Sequence, residues 1–281
     1  MHFEDTAHTR RSPAAMRIWF AASLLLHVAA AQAADRDARR RDVPDKVWHS
    51  VVFVESHDGD GQVSRGSGFI VDREGTIFTN RHVVQPDNDS PARLILVGVP
   101  FDRVIAGLRD PFDVDYDHLD LFIGRTVHVS PSDSALDFAV LRIAARPSYG
   151  SFKPLTLNFE KMRRREPVMT IGFAGGYVPL ANRGAVMIAT LKHKDVDHCV
   201  TTNKTYPGDS GGPMLDWLGR ARGIVSGTRK TLYAKRGMAV HLSAVQSSAR
   251  SAEKLVAESV PPRGPVSRGE VARRIRALQK L

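Results

Sequence analysis

Residues Tyr206–Pro213 read YPGDSGGP, and this stretch decides both the fold and the chemistry to be expected of the 281-residue chain. A serine hydroxyl is a weak nucleophile unless a base removes its proton and the resulting oxyanion is stabilised. Glycines on both sides of Ser210 permit a tight turn with accessible backbone N–H groups. The stretch therefore predicts a nucleophile at Ser210, with the N–H groups of Gly208 and Ser210 as an oxyanion hole. Taken alone, it is also compatible with an incidental turn.

A nucleophilic serine needs a base and a group that orients the base. His82, in FTNRHVV (78–84), follows an apolar run and is the candidate base. Asp137, in ALDFAVL (135–141), stands at the start of another apolar run, where its neighbours shield a carboxylate from water. Asp133 is the nearest competitor, but it lies in a polar turn. We therefore predict that Asp137 orients the imidazole and stabilises the imidazolium.

From residue 47 onward the chain consists of short apolar runs separated by turn residues such as Asp58–Gly61 and Glu74-Gly75. Runs of this length that are rich in β-branched residues predict strands. The predicted strands are Val51–Val54, Gly68–Val71, Thr76–Thr79, Leu94–Val97, Phe138–Ile143, Val168–Gly172, Ala185–Leu191, Gly223–Ser226 and Gly237–His241. Many short strands with frequent turns indicate all-β barrels or sandwiches.

The composition is that of an ordinary globular protein with a basic surface. There are 40 Lys and Arg residues against 30 Asp and Glu residues, which gives a formal net charge of +10. Such an excess suits a nucleic-acid or anionic-membrane partner. No motif typical of RNA or DNA binding accompanies it, so we expect diffuse surface charge and no nucleic-acid partner. The single cysteine, Cys199, excludes an intramolecular disulfide framework and a cysteine-based zinc site.

Residues 1–33 have the layout of a secretory signal peptide. Basic residues precede the apolar run Ile18–Ala31, and small residues close it at a predicted cleavage site after Ala33. We therefore expect a periplasmic or secreted protein, with Met16 as an alternative start. An uncleaved membrane anchor is the alternative interpretation, although the apolar run is short for a spanning helix.

Three further segments have no predicted part in catalysis. Residues 34–46 carry a charged run, which predicts a mobile N-terminus of the mature chain. Residues 100–121 include Asp110, Asp113, Asp115, Asp117 and Asp120 but lack the spacing of an EF-hand, so we expect a solvated loop rather than a calcium site. Within the tail, residues 247–281, apolar residues recur at helical spacing over 271–278. This predicts a basic amphipathic helix docked on its own domain, with membrane contact as the alternative.

One cluster of metal-ligating residue types also stands out. His193, His198 and Cys199 lie within KHKDVDHC (192–199), a probable β-hairpin by its sequence. The cluster lacks a fourth ligand and the spacing usual for zinc. We therefore predict a structural hairpin here and no metal site.

The residues His82, Asp137 and Ser210 follow one another in the chain order of chymotrypsin-fold serine proteases. The local sequences resemble those of the bacterial HtrA-like (DegP-like) branch of these proteases or of its trypsin-like relatives. They are Gly66–Val71 (GSGFIV), Thr79–Val84 (TNRHVV), Asp137–Leu141 (DFAVL), Ile171–Gly176 (IGFAGG) and Gly223–Ser226 (GIVS). The resemblance covers residues 47–245 and implies two six-stranded antiparallel β-barrels with the active site between them. His82 and Asp137 would come from the first barrel and Ser210 from the second. With the predicted C-terminal helix, the expected fold class is all-β with one short helix at its end.

The resemblance also implies roles and differences for individual residues. Ser226 would contact Asp137 and begin the strand that pairs with substrate backbone. Lys204, six residues before Ser210, lies where trypsin-like enzymes form the floor of the primary specificity pocket, and we interpret it as a surface residue. Asp209 matches trypsin rather than the Asn of the HtrA branch, and it needs a cation or water as its partner. No second 90-residue module follows residue 245, so we expect no PDZ domain.

These observations together predict an exported serine endopeptidase that acts on protein or peptide substrates and requires no cofactor. Residues 47–246 would form the protease domain. The alternative is a catalytically silent binding or scaffold protein on the same fold, because a fold does not fix a function. A third interpretation, a basic protein that binds membrane surfaces or nucleic acid, depends only on charge and the tail.

Overall fold

The computed structural model describes residues 45–58, 60–85, 91–100, 119–143, 146–148, 150–176, 179–230, 235–257 and 265–278. Within these ranges twelve strands form two closed antiparallel barrels of six strands each. The predicted all-β class and the two-barrel architecture are therefore confirmed. The predicted signal peptide, residues 34–44 and most of the acidic segment, residues 101–118, lie outside the described residues.

The first barrel contains the first six strands of the chain in the order β1-β2-β3-β6-β5-β4. These strands are β1 Val51–His57, β2 Val63–Ile70, β3 Thr76–Thr79, β4 Leu94–Pro100, β5 Leu119–Val129 and β6 Ala139–Ile143. The turn predicted at Asp58–Gly61 lies between β1 and β2, which pair from Val51 with Phe69 to His57 with Val63.

The second barrel has the order β10-β11-β12-β9-β8-β7 and closes where β7 pairs with β10. Its strands are β7 Pro167–Gly172, β8 Leu180–His193, β9 Val196–Thr201, β10 Pro213–Asp216, β11 Ala221–Lys230 and β12 Lys235–His241. The predicted hairpin of residues 192–199 is present, because β8 and β9 meet across a turn in which Lys194 and Asp195 both have positive φ. Two such residues are typical of a tight hairpin turn.

Strands β1, β3 and β4 of the first barrel are buried on both faces, which explains their continuous apolar runs. Along β1, Val52 and Val54 belong to a cluster made by the first barrel alone. Their neighbours Val51 and Phe53 belong to a second cluster that continues into the second barrel. The rings of Phe53 and Phe173 have centroids 5.7 Å apart and join the two barrels directly. The barrels therefore share a core, and this core fixes the loops on either side of it.

Short and long helices complete the fold. They are α1 Asp45–Trp48, α2 Arg81–Val84, a 3₁₀ helix Ala174–Gly176, α3 Leu242–Ala257 and α4 Arg268–Leu278. No helix among the described residues has the length and apolar character needed to span a membrane. The predicted C-terminal helix is present as α4, and its Val271 is buried in the shared core. The backbone N–H of Val266 donates to the Leu121 carbonyl of β5 at 2.8 Å, which fixes the segment before α4.

Two features differ from the sequence-based expectation. Strands β5 and β10 were not among the predicted strands. Helix α3 runs through the expected boundary at residue 246, and its Leu242, Val245 and Ala249 are buried in the shared core. Residues on both sides of position 246 therefore belong to one helix that packs on the barrels.

Candidate active site

His82 lies in the single turn of α2, directly after β3. Its Nδ1 is 2.6 Å from Oδ2 of Asp137, and its backbone N–H donates to Oδ1 of the same carboxylate at 3.1 Å. Both carboxylate oxygens of Asp137 therefore hold His82, one through the ring and one through the main chain. Nε2 has no hydrogen-bond partner among the described residues and belongs to a side chain that is 41% exposed. The two residues predicted as base and orienting acid are thus brought together.

The loop before β6 is fixed so that Asp137 faces His82. The Asn80 amide donates to the Asp137 carbonyl at 2.7 Å, and the Ser130 hydroxyl donates to the Leu136 carbonyl. The Phe138 N–H in turn donates to the Ser130 hydroxyl at 3.1 Å. These bonds hold the loop against Asn80, which follows the end of β3, and against Ser130, which follows the end of β5. Asp133, the competing acid, is exposed, and no bond from it to His82 is present.

Ser210 lies in a tight turn between β9 and β10 that only glycine permits. Gly208 and Gly211 have φ of +99° and +85°, in the left-handed region that favours glycine. A Cβ at Gly208 would lie 2.2 Å from the Phe173 carbonyl oxygen, and one at Gly211 would lie 2.0 Å from the Ser67 carbonyl oxygen. The glycines of YPGDSGGP are therefore required by backbone conformation and by close packing together.

The backbone N–H groups of this turn divide into two sets. Those of Asp209, Gly211 and Gly212 donate to carbonyls of Tyr206, Val225 and Asp209. Those of Gly208 and Ser210 donate to no acceptor among the described residues. The two N–H groups predicted for the oxyanion hole are thus the ones left available for a ligand oxygen.

The Ser210 turn packs against the segment that carries His82. The position of a Cβ on Gly66 would be 2.8 Å from the Ser210 carbonyl oxygen and 2.6 Å from a methyl group of Val83, the residue after His82. The Ser210 carbonyl and the side chain of Val83, the residue after His82, therefore both lie close to one glycine in β2. No hydrogen bond joins the Ser210 hydroxyl to His82 among the described residues. His82 and Asp137 are therefore in direct contact. Ser210 lies in the same region but is not hydrogen-bonded to His82.

Ser67, in β2, links the two barrels at this point. Its hydroxyl donates to the Gly208 carbonyl at 2.6 Å and accepts from the Phe173 N–H at 2.8 Å. Its backbone N–H donates to the Ser210 carbonyl at 2.7 Å, and its carbonyl accepts from the Thr79 hydroxyl at 2.7 Å. Every polar group of Ser67 is therefore used to hold the Ser210 turn against the strand that leads to His82. In the sequence this role is not visible, because Ser67 stands there only as one residue of the motif GSGFIV (66–71).

Replacing Ser67 by alanine should lower the free energy of unfolding by about 2 to 4 kcal/mol, because the buried Phe173 N–H and Gly208 carbonyl lose their partner. Hydrolytic activity should fall at least about tenfold, since the Ser210 turn loses a fixed contact. Urea unfolding and steady-state kinetics measure the two effects. Ser151→Ala, an exposed serine in the linker between the barrels, is the matched control and should change neither. Equal behaviour of the two variants would remove the positioning role of Ser67.

Asp209 is a buried carboxylate with an incomplete set of partners. Its Oδ2 accepts from the Tyr206 N–H at 2.8 Å, whereas its Oδ1 has no partner among the described residues. Gly172 packs so closely on it that a Cβ there would lie 2.7 Å from Oδ1. Burial raises the pKa of Asp209 from 3.8 to about 6, and the Tyr206 N–H opposes this only in part. Of the two partners expected for Asp209, a cation or water, no cation is found among the described residues.

This environment predicts a pH dependence of stability. Because the folded protein keeps the Asp209 proton up to about pH 6, whereas the unfolded chain releases it near 4, the charged form is penalised on folding. Stability should therefore fall as pH rises from about 4 through 6, by on the order of 3 kcal/mol for this group. Asp209→Asn, which cannot ionise, should gain that amount relative to the wild type between pH 4 and pH 7. Urea unfolding at a series of pH values measures the difference.

Asp133→Asn is the control for that series, since Asp133 is exposed and its substitution should leave the pH profile unchanged. A constant difference between Asp209→Asn and the wild type from pH 4 to pH 8 would mean that folding does not raise the pKa of Asp209.

Ser226 differs from the expectation drawn from the resemblance. It lies inside β11, which begins at Ala221, and it is the extra residue of a bulge, because Val225 pairs with Ala239 and Gly227 pairs with Met238. Its buried hydroxyl has no hydrogen-bond partner among the described residues, so no hydrogen bond joins it to Asp137, the residue it was expected to contact. A bulge redirects the side chain of the extra residue, so the direction of the Ser226 side chain does not follow from the regular strand pattern.

The other residues singled out in the sequence take structural positions. Lys204 is exposed, as expected of a surface residue. Cys199 is buried with its Sγ 3.7 Å from the Met214 sulfur, and burial raises the pKa of the Cys199 thiol to about 12. The rings of His193 and His198 have centroids 6.1 Å apart across the hairpin. Among the described residues no three His, Cys, Asp or Glu side chains are grouped to hold a metal ion.

Comparison with known proteins identifies the family from the sequence and matches the fold in solved structures. The family model described as "Trypsin-like peptidase domain" matches residues 66–224, a range that includes His82, Asp137 and Ser210. HhoA of Synechocystis sp., which its name places among the serine proteases, is 28% identical over 168 residues, which is 59% of this chain and 37% of that protein. Serine protease HTRA1B of Danio rerio is 27% identical over 195 residues, covering 65% of this chain and 35% of that protein. The chain thus spans about a third of the length of these curated relatives.

Two solved structures share the fold. The HtrA-type protease AlgW with tripeptide has a TM-score of 0.56 and 21% identity, covering 73% of this chain and 60% of that chain. The active form of the Rv3671c protease from M. tuberculosis has a TM-score of 0.56 and 20% identity, covering 78% of this chain and 85% of that chain. With the family model covering more than half of the sequence and both barrels matched in structure, the chain belongs to the family of trypsin-like peptidase domains, with HtrA-type proteases among its relatives.

Proposed function

We propose that this protein is a serine endopeptidase that hydrolyses peptide bonds through a triad of Ser210, His82 and Asp137. The observation that carries the proposal is the 2.6 Å contact between His82 Nδ1 and Asp137 Oδ2, together with the second bond from the His82 main chain to the same carboxylate. A carboxylate in this place favours the imidazole tautomer with its proton on Nδ1. Nε2 is then the nitrogen that can accept a proton from a serine.

In this mechanism the Ser210 hydroxyl attacks the carbonyl carbon of the substrate while Nε2 of His82 takes the hydroxyl proton. The carbonyl oxygen becomes an oxyanion, which the N–H groups of Gly208 and Ser210 stabilise. His82 then gives its proton to the leaving amine, and an acyl-enzyme at Ser210 remains. A water molecule, deprotonated by His82, hydrolyses this ester and regenerates the serine. The reaction requires no cofactor.

Ser210 and His82 are not joined by a hydrogen bond in the part of the chain that the structure describes. Catalytic hydrogen bonds are often long in unliganded enzymes and tighten when substrate binds. The alternative function, a silent protease-fold scaffold, draws its support from this missing bond and from the unpartnered Ser226 hydroxyl. Substrates would be proteins or peptides, as the family membership suggests.

A fluorophosphonate probe separates the two functions, because it forms a covalent adduct only with an activated serine. The purified full chain should be labelled at Ser210 and should hydrolyse casein or a fluorogenic peptide. A scaffold would bind peptide without reacting with the probe. Absence of both labelling and hydrolysis in a folded protein would favour the scaffold.

We further propose that residues 1–33 direct export, followed by residues 34–46, a protease domain over 47–246 and a C-terminal helical segment over 247–281. The support is the basic start, the apolar run and the small-residue site of the sequence. Mature protein should begin near Ala34 and occur in the periplasmic or secreted fraction. N-terminal sequencing measures this. An intact Ile18–Ala31 in a membrane pellet would instead establish an anchored protein.

A further inference from the structure

A basic cleft of about 710 Å³ lies on the second barrel at the start of β7. We name it the arginine cleft. Its lining residues are Glu160, Lys161, Arg163, Arg164, Arg165, Glu166 and Arg222. The positive charge of this chain was expected to be diffuse, whereas here five cationic side chains surround one cavity.

Two of these cations are already paired. The buried Arg222 has Nη1 2.9 Å from a Glu166 oxygen, and Lys161 lies 2.5 Å from a carboxylate oxygen of Asp197. The three consecutive arginines at 163–165 are exposed and form no ion pair with any carboxylate of the described residues. Two carboxylates line the cleft. Glu166 is paired with Arg222, and Glu160 has no cationic partner among the described residues. The cleft therefore has a net positive charge available for a ligand.

An exposed apolar tip adjoins the arginine cleft. Trp217 and Leu218 occupy the turn between β10 and β11 and are 77% and 48% exposed. Asp216, the residue before them, has Oδ2 3.7 Å from Nη1 of Arg222, which lines the cleft. Its Oδ1 accepts from the backbone N–H groups of Leu218 and Arg220, both at 3.0 Å. A buried carboxylate thus holds Trp217 outward in a fixed turn beside the cationic residues.

We propose that the arginine cleft and the Trp217–Leu218 tip form a docking surface for membranes that contain anionic phospholipid. Arginines bind lipid phosphates, and an exposed tryptophan beside them is suited to the boundary between headgroups and acyl chains. Nucleic acid fits less well, because single-strand binding uses several aromatic platforms along a track, whereas here one aromatic has an aliphatic neighbour.

The C-terminal helix is not the origin of this surface. In α4 Val271 is buried, and Ile275 and Leu278 pack against the shared core. The apolar face of α4 is therefore already covered by its own domain. Among the described residues, Trp217 and Leu218 are then the one pair of consecutive large apolar side chains that are exposed.

The surface lies away from the candidate active site. Strand β7 begins at Pro167, next to the cleft residue Glu166, and ends at Gly172, which packs against Asp209. Six residues of strand span about 17 to 20 Å. Docking would therefore leave the Ser210 turn clear of the bilayer, and the inference does not depend on the proposed protease activity.

The test is quenching of Trp217 fluorescence by brominated lipid in vesicles of phosphatidylglycerol and phosphatidylcholine. The full chain also contains Trp19 and Trp48, so the difference between wild type and Trp217→Phe isolates the signal of Trp217. This readout reports the position of one side chain whatever the N-terminal segment contributes. We expect quenching with phosphatidylglycerol vesicles and little with pure phosphatidylcholine vesicles.

Two variants with the same change in net charge distinguish local from diffuse attraction. The cleft variant combines Arg163→Gln, Arg164→Gln and Arg165→Gln. The α4 variant combines Arg273→Gln, Arg274→Gln and Arg276→Gln. The cleft variant should need about 100-fold more phosphatidylglycerol for half-maximal quenching, at about fivefold for each arginine removed. The α4 variant should remain within about threefold of the wild type. Both should react with fluorophosphonate as the wild type does, whether or not the wild type reacts.

Three results would overturn the proposal. Absence of Trp217 quenching would show that the tip does not enter the bilayer. An equal loss in both variants would mean that the attraction is diffuse. Displacement from vesicles by a single-stranded oligonucleotide at a lower concentration than free phosphatidylglycerol headgroup analogue would identify a nucleic-acid surface instead.

Discussion

Ser210→Ala should lower kcat for peptide hydrolysis by about 10⁶-fold while the protein stays folded, because no other hydroxyl replaces the nucleophile. His82→Ala should lose a similar amount, since without the base the hydroxyl keeps its proton. The double variant should be no slower than either single variant, because the residues act as one unit. Casein or fluorogenic-peptide hydrolysis measures the rates, and unfolding by urea verifies the fold.

Ser247→Ala is the matched control. Ser247 is an exposed serine of α3, outside the Ser210 turn, so this variant should retain wild-type turnover. Fluorophosphonate labelling should disappear in Ser210→Ala and persist in the control. If Ser210→Ala keeps measurable turnover near that of the wild type, the nucleophile is a different residue and the proposed mechanism fails.

Much of this arrangement could be predicted because its determinants are local in the sequence. The strands with uninterrupted apolar runs, such as Thr76–Thr79, were found with the same bounds. The glycines around Ser210 indicated a special turn, and the positive φ of Gly208 and Gly211 gives the reason. His82 and Asp137 were chosen from their neighbours alone, and the structure places them in contact.

The rest depends on contacts between residues that are distant in the chain. Strand β10 contains only four residues and begins with Pro213, so its own sequence gives little indication of a strand. It is stabilised as a strand by pairing with β7 on one side and β11 on the other. Strand β5 likewise begins inside the acidic segment, where charge favours a loop interpretation. Tertiary pairing decided both cases.

Ser67 and Asp209 show the same limit at the candidate site. The hydroxyl of Ser67 reaches a carbonyl 141 residues away, and no spacing in the sequence specifies that bond. Asp209 was expected to need a cation or water as its partner. The depth of its burial depends on the packing of Gly172, which is distant in the chain and which the sequence around Asp209 does not specify. Motif reading thus identifies which side chains carry the chemistry, whereas the groups that position them follow from the packing of one barrel on the other.

Asp137→Asn should lower kcat by about 10⁴-fold with little change in the geometry of the site. The carboxylate accepts hydrogen bonds from both the ring and the backbone N–H of His82. An amide can present its NH₂ to Nδ1, which would place the ring proton on Nε2, the atom that must accept the proton of Ser210. The imidazolium would also lose its neighbouring negative charge. Peptide hydrolysis by the folded variant measures the loss.

Asp133→Asn is the matched control, because Asp133 is the competing acid in the sequence yet is exposed in the structure. Its rate should equal that of the wild type. Loss of activity in Asp133→Asn with retention in Asp137→Asn would assign the orienting role to Asp133 and require the loop before β6 to rearrange in the working enzyme. If neither substitution changes the rate, His82 is not held by a carboxylate during catalysis. The 2.6 Å contact would then be structural, and the silent scaffold would become the better account of this fold.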